Sequence, residues 1–337
     1  MSLRFLDSFD HYTSVLQKWT SQSGSPSIVA GAARTGAAGL LHLGAAGQWV
    51  SLTLDSQGTW IIGVAFRMAG PPTASPCNII STYDGATVQG LVRVNNADST
   101  LSLLVGAGVV ATSSKALLAN TYYYIELKHI IANVGGTLEV RVNGEVWITF
   151  NGDTQATVNP TANIIRISGF GNAPQSHFDD IYILDGTGGA PNNDYWGDTQ
   201  IECLVPDGAG FYTAWATLVG AATHWQSVSE IPPDDDISYV ADNTVGNNDS
   251  YTFGNLSVVS AVISGIQVLI RAREDAAGGP TVKRLYRNGG ADNLGVGVAL
   301  GLTYTYIREI METDPIAAAA WTVATINSAE FGAQVGA

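Results

Sequence analysis

Residues 138–146 read Leu138-Glu139-Val140-Arg141-Val142-Asn143-Gly144-Glu145-Val146. Apolar and charged side chains alternate over the first five. An extended chain points successive side chains to opposite faces, so Leu138, Val140 and Val142 share one face and Glu139 and Arg141 the other. Asn143-Gly144 then separates this run from a second. A type I′ turn needs positive φ at both central positions, which Asn-Gly supplies, so the stretch predicts a β-hairpin. Outward from it the same signature repeats. Short runs rich in Val, Ile, Thr, Tyr and Trp extend from Val50–Leu54, through Thr59–Met68 and Tyr122–Ile130, to Asn163–Gly169 and His177–Leu184. Gly, Asn, Asp and Pro separate them, and helical periodicity is nearly absent. This is the pattern of an all-β sandwich or barrel.

The first β block ends in the Gly-, Asn- and Asp-rich stretch Asp185–Asp198, which marks a boundary region between residues 1–198 and 199–337. A second loop, Ile231-Pro232-Pro233-Asp234-Asp235-Asp236, cannot sit inside a paired strand because proline has no N–H to give the ladder. Strands resume near Ile237–Ala241, Asp249–Phe253, Val262–Ala272, Thr281–Arg287 and Thr303–Met311, so 199–337 reads as a second, smaller β domain. One short helix is expected near the C-terminus, capped by Thr322, with Val323, Ile326 and Phe331 facing one core.

Composition narrows the function. Only 13% of the 337 residues are charged, against a usual share of about 25%. The 15 basic side chains face 29 acidic ones, for a net charge of −14. Residues 1–200 carry 9 basic and 14 acidic side chains, and residues 201–337 carry 6 and 15. No basic cluster is large enough to track a phosphate backbone, so nucleic acid is excluded as a partner, and an anionic membrane surface with it. No run of about 18 apolar residues occurs, so no membrane span is expected. The N-terminus has no signal-peptide core, which implies synthesis in a cytoplasm. Cys77 and Cys203 fall in different domains and form no metal-ligand spacing; they read as two buried free thiols.

Four stretches together resemble a known fold family. Phe9-Asp10-His11-Tyr12, Tyr122-Tyr123-Tyr124-Ile125-Glu126-Leu127, the Gly136–Gly144 hairpin and Phe178-Asp179-Asp180-Ile181-Tyr182-Ile183 are similar, in order and spacing, to the concanavalin A-like, laminin G-type jelly roll. The likeness covers about residues 1–200. The remainder resembles C-terminal regions of bacteriophage structural proteins, in Trp196–Ile201, Pro206–Gly210, Asp314-Pro315, Ala320–Ala324 and Glu330–Val335. That resemblance implies a non-enzymatic virion surface protein, a capsid decoration, head fibre or tail-fibre component. It would act by packing against copies of itself, as a trimer, and against other virion proteins. The alternative is a lectin-like, carbohydrate-binding module for host surface glycans.

Glycan hydrolases of this fold carry a Glu-x-Asp-x-x-Glu run on one strand; Glu126 and Glu139 stand alone, so no catalytic residue and no enzymatic activity are expected. The five histidines, His11, His42, His129, His177 and His224, lack metal-ligand spacing. Asp179 and Asp180 are neighbours on a strand and so face opposite sides, unable to serve one site together. One of them caps loop N–H groups, or else it is a calcium ligand. Asp234, Asp235 and Asp236 form either a solvated acidic loop or a calcium site. No other cofactor is expected. Tyr123, Trp196 and Trp225 are the aromatics best placed for a subunit interface or a sugar ring, because Tyr and Trp dominate such contacts.

Overall fold

A computed structural model describes residues 2–42, 47–169 and 175–337. The chain divides into two compact units, Met1–Ile201 and Glu202–Ala337.

Unit 1 is built from strands β1 (Leu3–Asp7), β2 (Ser21–Ser23), β3 (Ser27–Val29), β4 (Gly39–His42), β5 (Trp49–Gln57), β6 (Thr59–Met68), β7 (Cys77–Asp84), β8 (Thr87–Val94), β9 (Thr100–Val105), β10 (Gly108–Ala116), β11 (Tyr123–Ile130), β12 (Gly136–Val142), β13 (Glu145–Gly152), β14 (Ala162–Ser168) and β15 (Ser176–Leu184). They form two antiparallel sheets. One has eight strands, in the order β13-β12-β11-β6-β15-β4-β3 with β1 also on β15; the other has seven, in the order β10-β9-β8-β7-β14-β5-β2. The last strands, β14 and β15, lie in different sheets and each sits between strands from the first half of the unit. That long-range closure, with a meander at one end of each sheet, is a jelly roll.

The hairpin that opened the reading is β12–β13, with Asn143 at φ 50° and Gly144 at φ 79°. Leu138, Val140 and Val142 are buried and Glu139 and Arg141 half-buried, as alternation requires. The interior between the sheets is apolar. Trp60, Ile62, Val64 and Phe66 of β6, Ile125 and Leu127 of β11, and Phe178 of β15 meet Leu52, Ile80, Val92, Leu103, Ile165 and Ile167 of the other sheet, all buried. Burying one such side chain stabilises by about 1.5–3 kcal/mol. Trp60 also donates its Nε1 hydrogen to Ala162 O at 3.0 Å, tying one sheet to the other. Buried His129 occupies the same interior, with Nδ1 2.9 Å from the Thr82 hydroxyl and Nε2 3.0 Å from Thr154 O. Burial holds its pKa down to about 4. Its ring fills the space above Gly90, where a Cβ would lie 2.6 Å from Cε1.

Unit 2 is also β-structured. Its main sheet has five strands in the order Pro206–Thr213, Asn248–Phe253, Glu330–Gly336, Thr281–Asn288 and Ala291–Leu294. Two further pairs are Thr217–Val219 with Tyr239–Ala241 and Ile266–Ala272 with Thr305–Met311. A core of Tyr286, Met311, Trp321, Ile326, Ala329 and Phe331 joins the main sheet to the short helix Val323–Asn327. Thr322 caps that helix by accepting from Thr325 N. The all-β architecture, a jelly roll followed by a smaller β unit with one short C-terminal helix, is the one expected.

Candidate functional site

A two-layered sandwich has two outer faces, and alternation places polar side chains on both. In unit 1 the two faces differ.

The outer face of the eight-stranded sheet is closed by its own chain. The stretch expected to be a boundary loop runs across it as a strap, residues 190–201. Trp196 packs on the Tyr182 ring at 4.5 Å, and its Nε1 donates to Asn192 Oδ1 at 3.0 Å. Tyr195 lies over the Arg141 guanidinium at 4.1 Å and its hydroxyl donates to Glu139 O at 3.2 Å. Lys128 pairs with Asp194 at 3.0 Å. Beneath the strap, fully buried Glu126 accepts from Gly197 N at 2.8 Å and from the Tyr182 hydroxyl, while its Oε2 has no partner among the described residues. Burial raises the Glu126 pKa.

Asp179 and Asp180 lie on this face too, and here the expectation from alternation fails. A β-bulge between Asp179 and Tyr182, with Asp180 at φ 50°, turns both carboxylates to one side. Asp179 Oδ2 accepts from Arg34 N at 2.7 Å and Thr35 N at 3.1 Å; Asp180 accepts from the Thr35 hydroxyl at 3.1 Å and from Ile201 N at 2.8 Å. Arg34 stands 3.5 Å from Asp180 and donates to Thr199 O at 3.1 Å. The pair therefore binds loop and strap backbone, the capping role foreseen for one of them. Burial, then the neighbouring Asp180 charge, pushes the Asp179 pKa up to about 8; burial raises Asp180 to about 6.

The outer face of the seven-stranded sheet is organised around a cation instead. Arg166 of β14 pairs in register with Ser51 of β5 and Ser81 of β7, and Ser51 with Ser21 of β2. Directly opposed residues share a face, so the arginine rises from a rung of serines. Its guanidinium lies between two rings, 4.0 Å from the Trp49 centroid and 4.2 Å from that of Tyr83. Nη1 donates to the Tyr83 hydroxyl at 3.0 Å. Its Nε, and the hydroxyl of fully buried Ser81, lie out of water without a partner among the described residues. An unpaired buried donor costs about 1–3 kcal/mol. Arg93 of β8 stands on the same face one rung along, with Nε 3.4 Å from Asn95 Oδ1.

Pairing statistics sharpen the contrast. Of the basic side chains in unit 1, Arg4, Lys18, Arg34, Lys115, Lys128 and Arg141 have acidic partners. Arg67, Arg93 and Arg166 have none among the described residues, and Arg67 is turned to His177 Nδ1 at 2.8 Å and Gly31 O at 2.9 Å. Two arginines without counter-ions thus share one face of a protein in which acids outnumber bases nearly two to one.

The remaining residues singled out by sequence are dispersed. Asp234 accepts from Ser238 N and Oγ at 2.9 Å, Asp235 holds Arg271 through two oxygens at 2.6 and 2.7 Å, and Asp236 holds Arg273 at 2.9 Å. Among the described residues no three His, Cys, Asp or Glu side chains are grouped to hold a metal ion. Tyr123 is half-buried, edge-on to Trp147 at 6.3 Å, with its hydroxyl accepting from Leu118 N at 3.1 Å. Trp196 belongs to the strap. Trp225 is half-buried in a short 3-10 turn, Trp225–Ser227, of unit 2. Sequence reasoning passed over Arg166; its signal was one charge among isoleucines in Asn163-Ile164-Ile165-Arg166-Ile167-Ser168.

No protein-family model and no curated protein matches the sequence. Among solved structures, the chain is similar to the endo-beta-1,4-glucuronan lyase of the fungus Trichoderma reesei, with 15% identity over 54% of this chain and 95% of that one and a TM-score of 0.43. It is similar to the alginate lyase Aly36B, at 10% identity over 52% of this chain and 91% of that one, TM-score 0.39. It is also similar to the cellulose-induced protein Cip1, at 15% identity over 53% and 96%, TM-score 0.40. The expectation of a non-enzymatic virion structural protein is corrected on this finding. Two of these solved structures are polysaccharide lyases, and none is a virion protein.

Proposed function

We propose that unit 1 acts on a carboxylate-bearing polysaccharide, held on the outer face of the seven-stranded sheet with Arg166 as its anchor. One observation carries this reading: Arg166 is clamped between Trp49 and Tyr83 with no acidic partner, in a strongly acidic chain. Each ring contact contributes about 0.5–1 kcal/mol and fixes the guanidinium before anything binds. A planar, pre-oriented fork of donors suits a carboxylate, whose two oxygens it meets together. The aromatic rings offer apolar faces to sugar C–H groups.

The strip also has a group able to move a proton. The Tyr83 hydroxyl already accepts from Arg166 Nη1. With a uronate carboxylate neutralised by Arg166, Tyr83 in its phenolate form is placed to take the proton from the ring carbon that bears that carboxylate. The electron pair left behind forms the carbon–carbon double bond, and the departing glycosidic oxygen takes the proton back from the Tyr83 hydroxyl. Proton transfer by a positioned side chain contributes about 10²–10⁴-fold to a rate.

The test uses the full chain with alginate, with a β-1,4-glucuronan and with a neutral glucan, following binding by calorimetry and cleavage by the ultraviolet absorbance of the unsaturated sugar end. Binding to at least one polyuronate and not to the glucan is expected. Arg166→Ala should weaken it at least tenfold, about 1.4 kcal/mol. Tyr83→Phe should keep binding and abolish the absorbance. Equal affinity of Arg166→Ala and the parent, or no polyuronate binding at all, would overturn the reading.

A further inference from the structure

Unit 2 holds a cavity of about 340 Å³ that the proposal above does not use. Its floor comes from two neighbouring strands. In Asn248–Phe253, alternation puts Asp249 and Tyr251 on one face, in register with Thr213 and Ala209 of Pro206–Thr213. Above them lies His224, on the turn that leads into Trp225–Ser227. That turn is pinned by the Ser227 hydroxyl, which donates to Val219 O at 2.9 Å.

The three polar side chains form a relay. The Tyr251 hydroxyl donates to Asp249 Oδ2 at 2.6 Å, and His224 Nδ1 lies 2.8 Å from the same oxygen and 3.0 Å from Oδ1. Asp249 is fully buried and Tyr251 nearly so, whereas the His224 side chain keeps 18% of its surface. A carboxylate on Nδ1 fixes the imidazole as the Nδ1–H tautomer, so Nε2 carries the lone pair. Among the described residues Nε2 makes no hydrogen bond, and His224 lines the cavity. The other lining groups are of two kinds: the hydroxyl-bearing Thr213, Thr223 and Ser250, and the apolar Ala209, Leu218 and Ala222.

We infer that this cavity binds a single sugar ring or a comparably small polyhydroxylated ligand. Nε2 of His224 accepts from a ligand hydroxyl, the threonines supply further partners, and Leu218 and Tyr251 meet the ring's C–H face. Cavities that take small ligands run from about 300 to 1,000 Å³, so this one suits one ring rather than a chain. A few placed polar groups on a largely apolar wall are the usual composition of such sites. An anion is disfavoured, because Asp249 lies directly under the imidazole and Glu330 accepts from neighbouring Ser250 at 2.7 Å. The site is in unit 2 and does not depend on the arginine strip.

The experiment is a titration of the full chain with glucose, galactose, mannose and N-acetylglucosamine, reading the imidazole resonances by NMR, with glycerol as a control for an unspecific polyol. The His224 signals are assigned by their loss in His224→Phe. The expected result is a saturable shift with at least one sugar and none with glycerol. Asp249→Asn should weaken that sugar's binding about tenfold. The double variant Thr213→Val/Thr223→Val, which keeps the relay, should also weaken it. Arg166→Ala should leave it unchanged, which separates this site from the proposed polysaccharide face. No saturable shift with any of the four sugars, or an undiminished affinity in both Asp249→Asn and the threonine variant, would overturn the inference.

Discussion

The two outer faces of the jelly roll start from the same rule and end differently. On the eight-stranded sheet, alternation delivers the carboxylates of Glu126 and Asp179, a bulge adds that of Asp180, and the chain folds residues 190–201 back over them. On the seven-stranded sheet alternation delivers Arg93 and Arg166, which have no acidic partner among the described residues. The covered face has its donors and acceptors matched almost completely within the unit. The other keeps an arginine pinned by rings and short of partners. The difference teaches that polar residues on a sheet do not by themselves mark a site. What marks one is a polar group held in place while its bonding capacity is left over.

The comparison breaks first if the strap is not structural. Tyr182→Ala removes the ring between Glu126 and Trp196, and a fully buried aromatic truncated to alanine costs about 3–5 kcal/mol. Urea unfolding should show a loss of that size; a loss below about 1 kcal/mol would mean that the strap rests on the sheet without support from it.

Titration gives the next largest effect. Asp179 and Asp180 have folded pKa values of about 8 and about 6, above the unfolded value of roughly 3.9. For a carboxyl raised in this way the folded state binds the proton more tightly. The stability it contributes is therefore fully present below the unfolded pKa and is lost as pH rises through the folded one. Between pH 4 and 8, Asp179→Asn should gain on the parent by about 1–3 kcal/mol, read as a converging or crossing pair of melting curves. A difference that stays constant with pH would show that Asp179 is ionised throughout.

The open face is sharpened by Arg93→Ala. Losing the second unpaired cation should weaken polyuronate binding about threefold, about 0.7 kcal/mol, without moving the melting temperature. Raising the salt concentration should weaken the parent more than the variant. The smallest effect belongs to Glu126→Gln. Burial favours the protonated acid, and the amide has nearly its shape, so stability should change by less than about 1 kcal/mol. A larger loss would mean that a carboxylate, and not a neutral acid, lies under the strap.

How much of this was legible in the sequence follows from the range of each interaction. The β12–β13 hairpin and the Thr322 cap depend on residues within a few positions of each other, and both stand where the pattern put them. Strand β10 was missed because it is largely exposed, so its apolar residues trace no buried stripe. Asp179 and Asp180 were separated on paper by strict alternation, which one bulge undid. Arg166 was illegible for a different reason. Its two rings come from β5 and β7, brought beside β14 only when the sheet forms, so nothing near it in sequence announces the clamp. The relay of His224, Asp249 and Tyr251 needs a strand and a distant turn to meet, and spacing does not reveal that either.

The strap also says where the jelly roll can be cut free. A fragment ended at Asp185, where the strands stop and the glycines begin, would carry Glu126, Tyr182 and Asp180 to the surface with their backbone donors left on the discarded piece. Ended at Ile201, it takes its own covering along. The place where this polypeptide is safely severed is thus set by what its tail shields, and it falls at Ile201, three residues beyond the boundary expected at 198.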